Sequence, residues 1–182
     1  FERASEIKKR IFALEHINDV ALIKSESLQP LTSNLAFRIE AYDIAHLSGK
    51  NMVGVMTVVI NGEVAKSEYK KFIIRTQTGA NDTGALEEVL SRRFRHTEWG
   101  LPNLVVVDGS TAQIYVAQRV LNRYQFDIPI VSVVKDDRHK AKAIMNNEAI
   151  AKAHKKSIIL ANNEAHRFGI TFHRTKQRKD FL

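Results

Sequence analysis

Three stretches of the chain carry side chains that could perform metal chemistry. In Arg38–Leu47, which reads RIEAYDIAHL, Asp43 follows strand-like spacing on the same side as small apolar residues. A carboxylate among apolar side chains costs free energy unless it has a partner, and a metal ion is one such partner. VVVDGS closes an apolar run with Asp108, and EAHRFGITFHR carries His166. We therefore predict that Asp43, Asp108 and His166 meet around a divalent cation and that the site cuts nucleic acid.

Each candidate also has an ordinary structural interpretation. Asp108 ends a buried strand before Gly109, which is typical both of a turn and of the ligand-binding edge of an α/β sheet. Asp82 stands just before an expected helix, where it could cap the helix, bind metal or do both. A lone helical His is usually structural or exposed. The interpretation of His166 as functional is favoured by charged neighbours and by His173 about two turns further on.

The charge of the chain is unevenly distributed. The formal net charge is +8, from 28 Lys and Arg against 20 Asp and Glu. Residues 135–182 hold twelve of these basic residues and five of the acidic ones, so nearly all of the surplus lies there. This favours a polyanionic partner, most simply nucleic acid, although a solvated basic tail explains the charge equally well. The candidate DNA-contacting residues are Arg138, Lys140, Arg174, Lys176, Arg178 and Lys179.

Composition excludes several other classes of protein. There is no cysteine, so the 182 residues contain neither a disulfide nor a thiolate zinc site. No apolar run approaches the ~20 residues that a membrane-spanning helix needs. The length suits one well-packed domain with an appendage.

The elements that must position the candidates follow from hydrophobic periodicity and turn chemistry. Residues 1–17 predict an amphipathic helix, and residues 18–35 predict a linker. We predict an antiparallel meander of three strands, at Arg38–Leu47, at residues 52–60 and, as the return strand, at Lys66–Arg75. Asn61-Gly62 is expected to form a type I′ turn within it. The next expected elements alternate between helix and strand: helix Ala85–Trp99, strand Leu104–Val107, a helix that begins at the capping box of residues 110–113, and strand Ile128–Val134.

The remaining residues predict further helical structure. Residues 143–160 are helix-like around Glu148–His154 and then apolar at Ile158–Leu160, and the last helix is expected over Ala161–His173. Three antiparallel strands followed by two parallel strands that alternate with helices predict an α/β protein of ribonuclease H-like fold with a mixed five-stranded sheet. Hard oxygen ligands in such a site suit Mg²⁺ or Mn²⁺.

Five blocks of the sequence, in order, resemble one family: the C-terminal endonuclease domain of UvrC, a component of the UvrABC excinuclease. They are RIEAYDIAHLSG, KSEYKKFII, LPNLVVVDGSTAQ, DIPIVSVVKDDRHK and NEAHRFGITFHR, and the resemblance covers about residues 36–178. FERASEIKKRIFALE at the start resembles, more weakly, the second half of the UVR motif, through which UvrC proteins contact UvrB. The family commonly has DISH and DGGKGQ where this chain has DIAH and DGSTAQ, which puts substrate contacts near Asp108 in doubt.

The resemblance implies bacterial nucleotide excision repair in the cytoplasm, with incision on the 5′ side of a lesion in double-stranded DNA. It places the catalytic carboxylates on Asp43 and Asp108, with Asp82 as a further acidic candidate, and the catalytic histidine on His166. It also implies UvrB as a direct partner and UvrA as an indirect one. The GIY-YIG nuclease domain and the helix-hairpin-helix tail of the family are not among these residues, so we expect a short-form protein or a piece of a longer chain.

Two other functions remain open from the sequence. One is a ribonuclease H-like module that binds DNA or UvrB without cutting, although such a module would be expected to lose the acidic residues that this chain retains. The other is a ribonuclease or recombinase of the same superfamily, which would share the metal site but not the EAHRF and DIAH blocks. The domain boundaries expected are 1–17 for the UVR-like helix, 18–35 for the linker and 36–182 for the nuclease domain.

Overall fold

The computed structural model describes residues 36–47, 51–77, 81–135 and 141–180, with residues 47, 51, 135, 141, 142 and 172–180 as backbone only. From Phe37 onward the chain forms one compact unit. The UVR-like helix and the linker predicted for residues 1–35 lie outside the described residues and stay predictions.

The described chain forms seven strands and four α-helices. The strands are β1 (Arg38–Leu47), β2 (Asn51–Ile60), β3 (Glu63–Val64), β4 (Lys70–Ile73), β5 (Leu104–Asp108), β6 (Ile130–Lys135) and β7 (Ala141–Met145). The helices are α1 (Asp82–Arg93), α2 (Thr111–Arg123), α3 (Glu148–Ala153) and α4 (Lys155–Asp180), with short 3-10 turns at Lys66–Glu68 and Thr97–Trp99. None of these helices is both long enough and apolar enough to cross a membrane.

All seven strands belong to one mixed sheet in the order β3-β2-β1-β5-β6-β7, and β4 also pairs with β2. β1 runs antiparallel to β2 and parallel to β5, and β5 runs parallel to β6. The predicted meander followed by two parallel strands is therefore present. Asn61 and Gly62 both have positive φ, as the predicted type I′ turn requires.

The prediction of five strands was wrong at two places. The return strand predicted at Lys66–Arg75 is shorter and begins later, at Lys70 (β4), because Lys66–Glu68 form a 3-10 turn that brings the Glu68 carboxylate to Arg38. A separate short strand, β3, pairs with β2 before this turn. β7 was missed, since it is an edge strand whose described side chains are mostly exposed and therefore gives little hydrophobic signal. It pairs antiparallel with β6.

Two helix predictions also had wrong boundaries. α1 begins and ends earlier than the predicted Ala85–Trp99, and the end of that stretch forms the turn at Thr97–Trp99. The last helix is much longer than Ala161–His173, because the apolar run Ile158–Leu160 is part of α4. In that run, Ile158 is fully buried against the sheet.

The sheet separates two apolar layers. Side chains alternate along β1, so Tyr42 faces the layer covered by α1 and α2, while Ile39 and Ala41 face the layer covered by α4. β5 is buried on both sides from Leu104 to Val107, as the continuous apolar run predicted. Asp43 follows the alternation of Ile39 and Ala41 and therefore lies on the α4 side.

A buried ion pair joins β1 to α1. Glu40 and Arg93 are both completely buried, and the Arg93 guanidinium donates to the two Glu40 carboxylate oxygens at 2.9 and 2.8 Å. Tyr42 and Arg38 also donate to this carboxylate. Burial and the Glu40 charge raise the pKa of the Tyr42 hydroxyl, so it stays protonated and acts as a donor. This network fixes β1, which carries Asp43, against α1.

Candidate metal centre

The sheet brings Asp43 and Asp108 together at the edge where the pairing of β1 with β5 ends, with Asp43 inside β1 and Asp108 as the last residue of β5. The β1–β5 register pairs Ala41 with Val106 and Tyr42 with Val107, so Asp43 and Asp108 occupy the next position on each strand. Both carboxylates are half-buried at this edge. Gly109, with φ of 126°, follows at once and turns the chain away from the sheet.

α4 contributes the third side chain. The Nδ1 atom of His166 lies 3.6 Å from the Oδ2 atom of Asp43, and the His166 side chain is 47% exposed. Asp43, Asp108 and His166 each offer one ligand atom, and these three atoms lie within 4.8 Å of one another. Two carboxylate oxygens and one imidazole nitrogen at this separation fit a single divalent cation.

Small residues allow α4 to lie this close to β1. Ala161, Ala165 and Gly169 are buried on the side of α4 that faces the sheet. A Cβ atom added at Gly169 would lie 3.2 Å from Asp43 Oδ2 and 3.4 Å from the Cβ of Ala45. A larger residue at this position would therefore push α4 away from the carboxylate.

A polar contact from Tyr69, just before β4, holds α4 beside the site. The Tyr69 hydroxyl donates to Glu164 Oε2 at 2.9 Å, and Arg167 donates to both oxygens of the same carboxylate at 2.8 and 2.6 Å. The Arg167 hydrogen bonds lower the pKa of Glu164, with a smaller contribution from Tyr69. Burial and the Glu164 contact raise the pKa of Tyr69, which therefore remains a donor. These contacts surround His166 in sequence and fix the turn of helix that carries it.

Asp82 lies outside the group formed by Asp43, Asp108 and His166. Its Oδ1 atom is 2.7 Å from Nε2 of His46, and both side chains are about half exposed. The capping function considered for Asp82 belongs to Asn81, whose side chain accepts from the backbone N–H of Gly84 at 3.0 Å. A catalytic function for Asp82 stays a prediction.

The helix after Asp108 begins as predicted. Ser110 and Gln113 form a capping box, in which the Ser110 backbone N–H donates to Gln113 Oε1 at 3.0 Å. This cap fixes the point at which the chain leaves β5 and therefore helps to fix Asp108.

The predicted DNA-contacting residues cannot be placed around this centre. Arg138 and Lys140 lie outside the described residues. The same holds for the side chains of His173, Arg174, Lys176, Arg178 and Lys179, where only the helix backbone is described. Their contact with DNA stays a prediction.

Residues 30–174 match the family model described as the UvrC RNAse H endonuclease domain. The UvrABC system protein C of Clostridium acetobutylicum is 34% identical over 203 residues, covering 97% of this chain and 32% of that protein. The UvrABC system protein C of Finegoldia magna is 37% identical over 158 residues, covering 79% of this chain and 26% of that protein. The chain therefore spans between about a quarter and a third of the length of these relatives.

Among solved structures, a variant of Ciona intestinalis endonuclease V superposes with a TM-score of 0.58 at 10% identity, covering 80% of this chain and 88% of that one. That protein was crystallised with a 23mer DNA containing an inosine followed by a ribo-adenosine. At this identity the likeness shows the fold alone. It agrees with the predicted ribonuclease H-like fold, which is the fold class of this domain. Within that class, the chain belongs to the UvrC RNase H endonuclease domain family.

Proposed function

We propose that this chain is a divalent-metal-dependent DNA endonuclease that makes the incision 5′ to a lesion in nucleotide excision repair. The observation that carries the proposal is the group of three ligand atoms from Asp43, Asp108 and His166 within 4.8 Å of one another. The group lies in a domain of the UvrC nuclease family.

In this proposal Asp43, Asp108 and His166 hold Mg²⁺ or Mn²⁺. A bound divalent ion supplies a polarised water and stabilises negative charge on the phosphate and the leaving oxygen. The two half-buried carboxylates would bind the ion and fix its position at the edge of the sheet. The surrounding apolar layer strengthens their interaction with a cation. His166 is exposed enough to meet substrate. Binding the metal and transferring a proton are alternative functions of this ring, because a metal-bound imidazole carries its N–H on the second nitrogen and has no lone pair left to accept a proton. Off the metal, with Nδ1 3.6 Å from Asp43 Oδ2, the Nε2 atom accepts or releases the proton.

The partners proposed are lesion-bearing double-stranded DNA, UvrB directly and UvrA indirectly, in the bacterial cytoplasm. Family membership and the similarity to UvrABC system proteins C support these partners. The resemblance of residues 1–17 to part of a UVR motif supports the contact with UvrB.

The first prediction tests the metal centre directly. In crystals soaked with Mn²⁺, anomalous scattering should place one ion at about 2.0–2.2 Å from oxygens of Asp43 and Asp108. Asp43→Asn and Asp108→Asn should each lose this ion and reduce single-turnover nicking of a lesion-bearing duplex, with UvrB supplied, by at least about 10²-fold, since each removes a charged ligand.

Asp127→Asn is the matched control. Asp127 is exposed in the loop that precedes β6, at the opposite end of that strand from the site, so this variant should nick like the wild type. A wild-type chain that folds and binds DNA but makes no nick with Mn²⁺ would favour the non-cutting module instead.

A further inference from the structure

A cavity of about 310 Å³ lies between β7, α3 and the first turns of α4. It is lined by apolar side chains and by charged ones, among them Ala143, Ile144, Ile159, Lys152, Lys155 and Glu148. The three charged side chains are exposed, which places two ammonium groups and one carboxylate at the mouth of the cavity. Such a cavity suits a ligand that has both an apolar part and an anionic part.

The cavity lies on the same face of the sheet as the metal centre. β5 pairs Asp108 with Val133 of β6, and β6 pairs Val133 with Ile144 of β7. Directly paired residues project from the same face of a sheet, and Ile144 packs in the apolar layer beneath α4. Two strand spacings of about 4.8 Å place the backbones of Asp108 and Ile144 roughly 10 Å apart.

The cavity and the metal centre also share one flank of α4. Four residues of this helix follow one another at intervals of four, four and three positions: Lys155, Ile159, Asn163 and His166. Residues at these intervals form one row along a helix surface, and none of the four is fully buried. Glu164 and Phe168, which contact Tyr69, lie on the other flank. An accessible row of side chains therefore leads from His166 to the cavity without crossing α4.

The separation of the two sites suits a DNA strand. An α-helix rises about 1.5 Å per residue, so Ile159 and Lys155 lie about 10 and 16 Å from His166 along the helix axis. Each DNA strand rises about 3.4 Å per nucleotide. A strand that follows this flank therefore reaches the cavity about three to five nucleotides from a phosphate at the metal centre. Its deoxyribose and phosphate supply the apolar and the anionic part that the cavity suits.

We propose that this cavity binds the sugar–phosphate backbone of the incised strand, about three to five nucleotides from the scissile phosphate. Lys152 and Lys155 contact the phosphate, and the deoxyribose packs on Ile144 and Ile159. The inference rests on the proposed nuclease function, which it extends to a substrate-binding subsite. A backbone contact outside the metal centre holds the strand in register and so positions the scissile phosphate.

The first measurement is DNA binding without cutting. Affinity for a fluorescein-labelled duplex is measured in EDTA at several salt concentrations. Lys155→Ala should weaken binding about tenfold and lower the salt slope by about one, because one phosphate contact and its counterion are lost. Lys156→Ala is the matched control, since Lys156 is exposed at the next position of α4 and does not line the cavity, and it should bind like the wild type. Glu148→Gln removes a carboxylate that repels the phosphate and should bind more tightly.

The second measurement locates the contact along the DNA. Lesion-bearing duplexes carry one neutral methylphosphonate at successive positions around the incision, and single-turnover nicking is measured with UvrB and Mn²⁺. The wild type should be slowed at the scissile position and again about three to five nucleotides away. The double variant Lys152→Ala/Lys155→Ala should keep the first effect and lose the second.

The outcomes separate this inference from the proposed function. Equal affinity and equal slope for Lys155→Ala and Lys156→Ala would overturn the inference even if the wild type nicks normally, and so would a wild type that binds no duplex. Lysine variants that bind DNA like the wild type but nick more slowly would indicate a protein-binding surface and would also overturn it. If the predicted slope change is found but the wild type never nicks, the nuclease function fails and the subsite stands.

A further variant keeps the test independent of the lysine substitutions. Ala143 is exposed on β7, so Ala143→Trp fills the cavity while every charge is retained. It should weaken duplex binding, and unchanged binding by this folded variant would contradict the subsite. If thermal denaturation shows that Lys155→Ala does not fold, Lys155→Gln replaces it and must show the same change of slope.

Discussion

At the scale of single residues, His166 is the side chain for which a catalytic function and a structural function can be separated most clearly by mutation. Its ring lies 3.6 Å from Asp43, yet about half of its side chain is exposed, so it contributes little to the core. Removing a half-exposed ring costs little packing energy. A large loss of activity on its removal would therefore report chemistry rather than folding.

We predict that His166→Ala nearly abolishes incision while thermal stability and DNA binding remain close to wild type. Loss of a general acid–base group typically lowers the rate about 10²–10⁴-fold. Single-turnover nicking with UvrB and Mn²⁺ measures the rate. Mn²⁺ affinity then separates the two functions of the ring, because losing a ligand weakens metal binding, whereas losing a proton-transfer group leaves it unchanged.

His96→Ala is the matched control for this variant. His96 has the same 47% exposure and also faces a carboxylate, that of Glu98, but it lies beyond the C-terminus of α1 and outside the metal centre. It should cut at the wild-type rate. Full incision by a folded His166→Ala protein would remove His166 from the reaction.

At the scale of elements, the position of α4 decides whether His166 reaches Asp43 and Asp108. Thr57 on β2 donates to the backbone carbonyl of Ala161 at 3.0 Å, inside the buried layer. Tyr69, which precedes β4, donates to Glu164 one turn further along the helix. Two neighbouring parts of the sheet thus hold successive turns of α4, and the next turn presents His166 and Gly169 to Asp43.

We predict that Glu164→Gln lowers the free energy of unfolding at pH 7 by about 1 kcal/mol, because it weakens the hydrogen bonds from Arg167 and Tyr69. The pKa of Glu164 is lowered in the folded chain. Its stabilising contribution is therefore complete above the unfolded pKa of about 4.3 and is lost as the pH falls through the lower folded pKa. Urea unfolding of the wild type and of Glu164→Gln measures this at pH 7 and at acidic pH. The difference between their free energies of unfolding should be smaller at acidic pH.

Glu63→Gln on β3 is the control, since Glu63 is exposed. It should change stability by less than about 0.5 kcal/mol. If the loss of unfolding free energy in Glu164→Gln stays constant down to strongly acidic pH, the carboxylate charge is not what joins Tyr69 to α4.

At the scale of the whole molecule, the buried pair of Glu40 and Arg93 ties the central strand of the sheet to the helical layer on one of its faces. Both side chains have no exposed surface, and the pair joins the central strand β1 to α1 across the core. Removing Arg93 leaves the buried Glu40 carboxylate with only Arg38 and Tyr42 as donors, and losing one partner of a buried ion pair costs several kcal/mol, while removing both can be nearly neutral. Domains of this size are stable by only about 5–15 kcal/mol.

We predict that Arg93→Met lowers the free energy of unfolding by about 3–5 kcal/mol. The double variant Glu40→Leu/Arg93→Met should cost clearly less than the sum of its two single variants, as measured by urea denaturation. Arg95→Met is the control, because Arg95 is exposed two residues further along the chain and should change stability little. Additive effects of the two buried substitutions would show that the carboxylate and the guanidinium do not stabilise each other.

Much of this protein follows from the sequence because its determinants are local. Positive φ at Asn61-Gly62, the capping box at Ser110 and the buried run before Asp108 each depend on a few adjacent residues, and all are present. The residue types of Asp43, Asp108 and His166 indicated a metal centre, and the order of the elements indicated which strand ends would be neighbours. The family could be recognised from the same blocks, since they contain the residues of that centre.

Tertiary structure decided the features that join residues far apart in the chain. Glu40 and Arg93 are 53 positions apart, and nothing in the local pattern of either stretch indicates that they pair. The 3-10 turn before β4 places Glu68 against Arg38, 30 positions away in the chain, and the edge strand β7 pairs with β6. Periodicity determines which face a side chain takes on its own element, but only packing and pairing between elements determine what that face meets.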